Sequence, residues 1–289
     1  MTDPANPGPH PDPHAPAITL PAGACDAHCH VFGPTDRFPY AGRRSFDPPE
    51  SPLDNLQRLH RILGLDRAVL VQSAVHGHDH SALLDALAAG AGRYRGVALV
   101  SPTTPQAQIA AWHRAGVRGA RLNFVSHLRP HPGPDEVDAI VRAIAPYGWH
   151  IAVHVTGDGI VAYADLVRRL PVPVVIDHMA RVDLREGIDS PAVRTLRRLL
   201  DTGSVWVKLS AADRIATAPP SLADAAKLAA LLAETAPERV VWGTDFPHPN
   251  PNFVPDDGDL VDLLTLIAPD PSRRRQLLVD NPATLFDFP

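Results

Sequence analysis

Short apolar runs alternate with stretches of helical periodicity along almost the whole chain. Cys25-Asp26-Ala27-His28-Cys29-His30-Val31-Phe32 precedes Gly33-Pro34 and reads as a strand closed by a turn. Seven further apolar runs begin near residues 67, 94, 119, 150, 173, 205 and 239. The helical period appears between them. Leu53, Leu56, Leu59, Ile62 and Leu63 share one face ahead of the second run, and the later segments predict helices over 81–89, 105–115, 134–147, 158–170, 190–201, 221–235 and from 260 onward. Apolar strands separated by helices predict a parallel sheet covered by helices. Eight such units predict a single α/β domain, a (β/α)8 TIM barrel over 21–289. A doubly wound sheet is the competing architecture, but it usually has fewer strands and a glycine-rich first turn. No G-x-G-x-x-G follows any run and no Walker A loop is present.

Composition narrows the partners. The chain has 289 residues, 45% hydrophobic, enough for a large core, and a formal net charge of -5. No basic face is implied, so nucleic acid is not an expected partner. No apolar run approaches the roughly 18 residues of a membrane span, so no membrane partner is expected either. The two cysteines lie four apart on one strand face, a poor disulfide and no zinc knuckle. The cytoplasm is therefore the expected compartment. Residues 1–20, rich in Pro, His and Asp over Met1–Pro16, are expected to form a disordered tail rather than a signal peptide, with His10 and His14 solvated. Oligomeric state leaves no mark on the sequence.

In a (β/α)8 barrel the active site lies at the C-terminal ends of the strands. The chemically useful residues fall there repeatedly. His28 and His30 end the first strand; Gln72, Ser73 and His76 the second; Arg121 and Asn123 the fourth; His154 the fifth; Asp177 and His178 the sixth. Lys208 and Ser210 end the seventh, with Asp213 and Arg214 just beyond, and Asp245 ends the eighth, followed by His248 and Asn250. Strand alternation places Asp26, His28 and His30 on one face, where two imidazoles can converge on a metal ion, a water or a carbonyl. Taken alone, His-x-His equally describes a small polar cluster, and His154 a hydrogen-bonded core histidine; partners at other strand ends favour a site. Asp177 points away from His178 along a strand, so its expected role is structural. Lys208 reads as either a ligand-side group or a tether to an acid. Asp245, closing a buried apolar strand, requires a charged or hydrogen-bonded partner. His127 and His131 are weaker candidates, and His78 to His80 read as solvated loop.

These motifs carry a resemblance. Cys25-Asp-Ala-His-Cys-His-Val-Phe-Gly-Pro34 and Trp242-Gly-Thr-Asp-Phe-Pro-His-Pro-Asn250, at this separation, resemble the amidohydrolase superfamily. Gly119-Ala-Arg-Leu-Asn-Phe124, Gly148-Trp-His-Ile-Ala-Val-His154 and Val175-Ile-Asp-His-Met179 resemble its lactonase branch, which includes the 2-pyrone-4,6-dicarboxylate lactonases and 4-sulfomuconolactone hydrolases. Val75-His-Gly77 and Asp257-Gly-Asp-Leu-Val-Asp-Leu-Leu264 bring it nearest the sulfomuconolactone type. The resemblance covers nearly all of the chain after the tail.

It implies a hydrolase of aromatic-compound catabolism that opens a small lactone bearing anionic groups. It implies His28, His30, His154 and Asp245 as ligands of one divalent metal, Zn or Mn. It also implies His178 as a polarising or proton-handling group and Asp245 as the base. Within the branch a metal-free variant is also implied, in which His28, His30 and His178 polarise the carbonyl directly. Arg121 and Arg214 would hold the substrate's anionic groups, with Asn123, Ser73, His76, His127 and Asn250 as further substrate contacts. Two departures stand out: a further Arg expected in the loop after Phe124 is missing, so that His127 or Arg129 substitutes or the substrate carries one fewer charge, and a tyrosine expected in the first long loop is Phe46. The alternatives are a metal-dependent decarboxylase of the same superfamily, a sugar-acid lactonase, and a non-catalytic barrel.

The chemistry fits the residue types. Water at neutral pH is a poor nucleophile and needs a base or a metal. A developing oxyanion needs donors or a cation. Imidazoles and a carboxylate are ligands zinc accepts, and forked guanidinium groups suit carboxylates.

Overall fold

The computed structural model describes residues 7–289 except Arg43, Ser45, Arg129, Pro130, Asn250 and Asn252. Eight strands form one parallel sheet in sequential order. They are β1 (Cys25–Cys29), β2 (Arg67–Val71), β3 (Tyr94–Ala98), β4 (Val117–Asn123), β5 (His150–His154), β6 (Val174–Ile176), β7 (Val205–Leu209) and β8 (Val240–Trp242). Each begins within two residues of the position expected from the pattern. Beyond the strand ends, the Asp245 N–H donates to the His28 carbonyl at 2.9 Å and the His30 N–H donates to the Phe246 carbonyl at 2.7 Å. These bonds join β8 to β1 and close the (β/α)8 barrel on the side that carries the candidate chemistry.

The apolar residues divide into two clusters. Val69, Val97, Ala152, Val175 and Val241 fill the barrel interior with Cys25 and Ala27. A larger cluster lies between the strands and the outer helices, including Leu56, Leu59 and Leu63 of the first helix, Leu53–Leu63. The C-terminal segment closes the opposite end of the barrel. Phe286 and Phe288 join the interior cluster, and Arg95 donates to the Phe286 and Asp287 carbonyls. Bulky packing at this end and polar groups at the other give the barrel its functional direction. Among the described residues no helix is long and apolar enough to cross a membrane.

The tail differs from its expectation. Over residues 7–20 it is laid against the barrel rather than free. The His14 N–H donates to Asp256 and the Ala17 N–H to Asp262 Oδ1 at 2.8 Å, and Leu20 is buried. His14 Nδ1 also lies 3.1 Å from Asp256 Oδ2, a hydrogen bond that raises its pKa above the ordinary value. Asp256, the N-cap of the helix Asp257–Asp262, and Asp262, its last residue, supply the partners that a proline-rich segment lacks within itself.

Candidate active site

Three local departures from regular backbone deliver the site. The first is a register shift in β1 between Asp26 and Cys29, a β-bulge that breaks the alternation of faces. Asp26 therefore does not share a face with His28 and His30. Its carboxylate accepts from Thr244 Oγ1 at 2.6 Å and from the Thr244 and His28 N–H groups, and it lies 3.2 Å from His60 Nε2. This satisfied carboxylate ties β1 to the segment after β8. Gly243 makes the approach possible, because a Cβ there would stand 2.5 Å from the His28 nitrogen.

The second departure follows β6. His178, Met179, Ala180 and Arg181 all have positive φ, from 44° to 55°, so the chain leaves strand geometry after Ile176. Face alternation no longer applies, and Asp177 and His178 both reach the site. The third is Asp245, three residues beyond β8 with φ 65°. Non-glycine residues held in this region are uncommon and concentrate where function requires them.

Asp245 is the centre. Its Oδ1 lies 3.7 Å from His28 Nε2, 3.5 Å from His30 Nε2 and 3.7 Å from His178 Nε2. Its Oδ2 accepts from Arg214 Nε at 3.2 Å. Asp245 Oδ1 and His28 Nε2 are buried without a hydrogen-bond partner among the described residues, so both are available to a reacting molecule. Burial alone would raise the Asp245 pKa, but His178, Arg214, His30 and His28 together hold it well below the ordinary carboxylate value. The carboxylate is ionised at neutral pH.

A second buried set stands behind it. Lys208, fully buried, places Nζ 3.0 Å from His28 Nδ1 and 3.4 Å from Asp177 Oδ1. Arg121 Nε donates to Asp177 Oδ2 at 3.0 Å. Against the pull of burial, Lys208 and Arg121 keep Asp177 well below its ordinary pKa. Burial, then the Lys208 charge, lowers the His28 pKa to about 3, so its ring is neutral. An ammonium donating to Nδ1 leaves the proton on Nε2, facing Asp245. His30 differs: its Nδ1 lies 2.7 Å from the Val71 carbonyl, so Nδ1 carries a proton. His178 Nδ1 contacts Ser210 Oγ at 2.9 Å, and burial keeps this ring neutral too. The Asp177–Lys208 network, expected to be structural or undecided, thus sets the protonation of a site histidine.

The chamber above Asp245 has a volume of about 280 Å³. Of the expected residues it gathers His30, His178, His154, Ser73, Arg121, His127, Arg214 and Asp245, and Phe46 also lines it. Asn123 holds His154, with Oδ1 at 3.1 Å from Nδ1. His76 is set apart, buried and stacked on Phe32 with ring centres 6.2 Å apart. Asn250 and Arg129 lie outside the described residues. Arg181 is an addition. It lines the chamber, and burial followed by the neighbouring Arg214 lowers its pKa. Its position in the left-handed run after His178 has no signature in strand periodicity.

Part of the donor set suits a metal. His28, His178 and Asp245 each offer a ligand atom, mutually within 4.8 Å, and their types suit zinc. The unpartnered His28 Nε2 and Asp245 Oδ1 fit such a role. His154 stands outside this group, its ring centre 5.9 Å from that of His178. A metal on His28 Nε2 requires the ring proton on Nδ1, facing Asp177 Oδ1 at 3.4 Å.

The loop after β8 is braced from below. His248, fully buried, lies 3.1 Å from Asp257 Oδ1. Burial opposes its charge, yet Asp257, then Asp213 and Asp245, raise its pKa to about 9. This predicts the pH dependence of stability. Burial holds His28 and His150 at about 3 and His80 at about 4, below the ordinary 6.5. Below pH 6.5 the unfolded chain binds these protons and the folded one does not, costing about 2 kcal/mol per histidine by about pH 5. His248 acts oppositely: its stabilisation is complete below its ordinary pKa and is lost as pH rises through its folded value. The melting temperature is therefore expected to peak between about pH 6.5 and 7 and to fall on both sides. His248→Gln should flatten the alkaline side alone. A level melting temperature from about pH 5 to 9 would contradict these assignments.

Comparison with known proteins adds the lineage. Over 285 residues the chain is 40% identical to the 2-pyrone-4,6-dicarboxylate hydrolase of Comamonas testosteroni, covering 95% of this chain and 93% of that one. It is 37% identical over 277 residues to the 4-sulfomuconolactone hydrolase of Hydrogenophaga intermedia, covering 93% and 90%. The two likenesses are of similar strength and do not single out the sulfomuconolactone type. A Pseudomonas putida structure assigned as a 2-pyrone-4,6-dicarboxylic acid hydrolase superposes with a TM-score of 0.81 at 30% identity, over 93% of this chain and 99% of that one. The amidohydrolase family model matches residues 25–288. Together with the barrel and its His-x-His and strand-eight aspartate, these matches show that the chain belongs to the amidohydrolase family.

Proposed function

We propose that this chain hydrolyses a small lactone carrying anionic groups, of the 2-pyrone-4,6-dicarboxylate or muconolactone type, in the breakdown of aromatic compounds. The observation that carries the reading is Asp245: an ionised, buried carboxylate with one oxygen free among three imidazoles and a chamber edged by Arg121, Arg181 and Arg214. The names and extents of the two enzyme relatives support it.

Each step follows from a position. Arg214, Arg181 and Arg121 bind the substrate's anionic groups and orient the ring. Asp245 Oδ1 takes a proton from water, whose oxygen attacks the lactone carbonyl carbon. The low pKa of Asp245 in the empty site owes much to Arg214. A bound anion offsets that charge, so the carboxylate becomes a stronger base once substrate is present. His28 Nε2–H donates to the developing oxyanion. The ring C–O bond then breaks, and the proton on Asp245 returns to the departing oxygen. Water adds across one ester bond, leaving a hydroxyl or its keto form and a carboxylic acid that gives its remaining proton to solvent. A divalent ion held by His28, His178 and Asp245 would supply Lewis acidity at the same point.

Lys208 on His28 Nδ1 favours the direct-donor form. The test is an ultraviolet assay of 2-pyrone-4,6-dicarboxylate ring opening before and after exhaustive chelation. Hydrolysis is expected to survive chelation. Loss of activity restored by zinc or manganese would instead assign His28, His178 and Asp245 as metal ligands. Carbon dioxide release without ring opening would replace the lactonase with a decarboxylase.

A further inference from the structure

We propose that the catalytic chamber continues into a second compartment that binds the far end of the substrate, a flexible arm ending in a carboxylate. This inference rests on the lactonase reading and extends its substrate class. Ligand pockets span about 300–1,000 Å³, and the chamber over Asp245, at about 280 Å³, suits a compact lactone acid. A second cavity of about 530 Å³ lies beyond it, over the ends of β3 and β4. The two share Ala74, Arg121, His127 and Leu128 as lining residues. They are therefore adjoining, and a substrate that reaches Asp245 can extend between them past the Arg121 guanidinium.

The lining specifies what the arm carries. Leu99, Leu122 and Ile140 offer an apolar wall, suited to methylene groups. Among the described lining residues Arg44, Arg121, His78 and His131 stand with one carboxylate, that of Glu136; Arg44 is also paired with Asp47 and Arg121 with Asp177. Glu136 is engaged, its Oε2 accepting from the Gly133 N–H at 2.8 Å. His131 uses Nε2 on the Val125 carbonyl at 3.0 Å and His78 uses Nδ1 on the Leu99 carbonyl at 3.3 Å. Each ring keeps a second nitrogen for a ligand. Ser101, at the end of β3, adds a hydroxyl to the same wall. Guanidinium and imidazole donors beside an apolar wall select an anionic arm over a neutral or basic one.

The test compares two lactones of equal charge. One is 2-pyrone-4,6-dicarboxylate; the other is its monoamide with 4-aminobutyrate, which moves one carboxylate to the end of an arm. Wild-type protein and Ser101→Trp, which fills the second compartment, are assayed for kcat/KM on both, with melting temperature as the folding control. His131→Trp, on another part of the lining, replaces Ser101→Trp should the latter fail to fold. The expected result is that wild type opens the armed lactone and that the tryptophan variant lowers the armed-to-short ratio of kcat/KM at least tenfold. A smaller change in that ratio makes the second cavity only a mouth and overturns the proposal, as does failure to open the armed lactone while the short one opens. If neither lactone opens in wild type, the 2-pyrone form of the lactonase reading fails and the inference, which rests on it, goes with it.

Discussion

Asp245→Asn is expected to lower kcat for lactone opening by about 10³-fold or more, near the upper part of what a positioned general base contributes. The substitution keeps the size of the side chain and removes its basicity. It should not raise KM for an anionic lactone. Arg214, whose Nε now donates to Asp245 Oδ2 at 3.2 Å, would face a neutral amide and hold the substrate's anion more tightly. The combination of a collapsed kcat with an unchanged or lower KM is the signature of a base rather than of a binding residue. Steady-state kinetics on 2-pyrone-4,6-dicarboxylate, with the melting temperature checked alongside, measure both. Turnover within tenfold of wild type would remove Asp245 from the chemistry.

Lys208→Met carries the second large effect. The ammonium stands 3.0 Å from His28 Nδ1 and 3.4 Å from Asp177 Oδ1. Once it is removed, His28 is free to place its ring proton on Nδ1 toward Asp177, 3.4 Å away. Nε2 then loses the hydrogen it offers to the oxyanion. The expected cost is about 10²–10³ in kcat, the scale seen for loss of one oxyanion donor. The same exchange of tautomers turns His28 Nε2 into a metal ligand, so zinc affinity measured by competition with a chromophoric chelator should rise. Asp177 keeps its Arg121 partner at 3.0 Å, which limits the loss of stability to that of one member of a buried network. Unchanged turnover together with unchanged zinc affinity would show that Lys208 is only a tether.

Both predictions depend on features of different legibility. The barrel was legible because its signal is local. Eight apolar runs alternate with helical periodicity, and the observed strands start within two residues of the expected positions. The rule that barrel chemistry sits at C-terminal strand ends then located His28, His30, His154, His178, Arg121, Arg214 and Asp245. Six of these line the chamber, and the seventh, His28, lies beneath it against Asp245. What failed was the extension of strand geometry past the places where the backbone leaves it. The bulge in β1 turned Asp26 away from His28. The left-handed run from His178 to Arg181 brought Asp177 into the charge network and Arg181 to the chamber wall.

The sequence by itself determined the periodicity, the number of units, and which strand ends carry imidazole, guanidinium and carboxylate groups. Tertiary structure decided which of these groups meet, and in which protonation state. The physical reason is range. Alternation and helical period depend on neighbours a few residues apart, whereas a bulge or a positive φ is imposed by barrel closure and by bonds such as those from Thr244 to Asp26. Protonation is more collective still. The tautomer of His28 depends on Lys208, 180 positions away along the chain, and buried charges set one another's state only once the fold has removed the water between them.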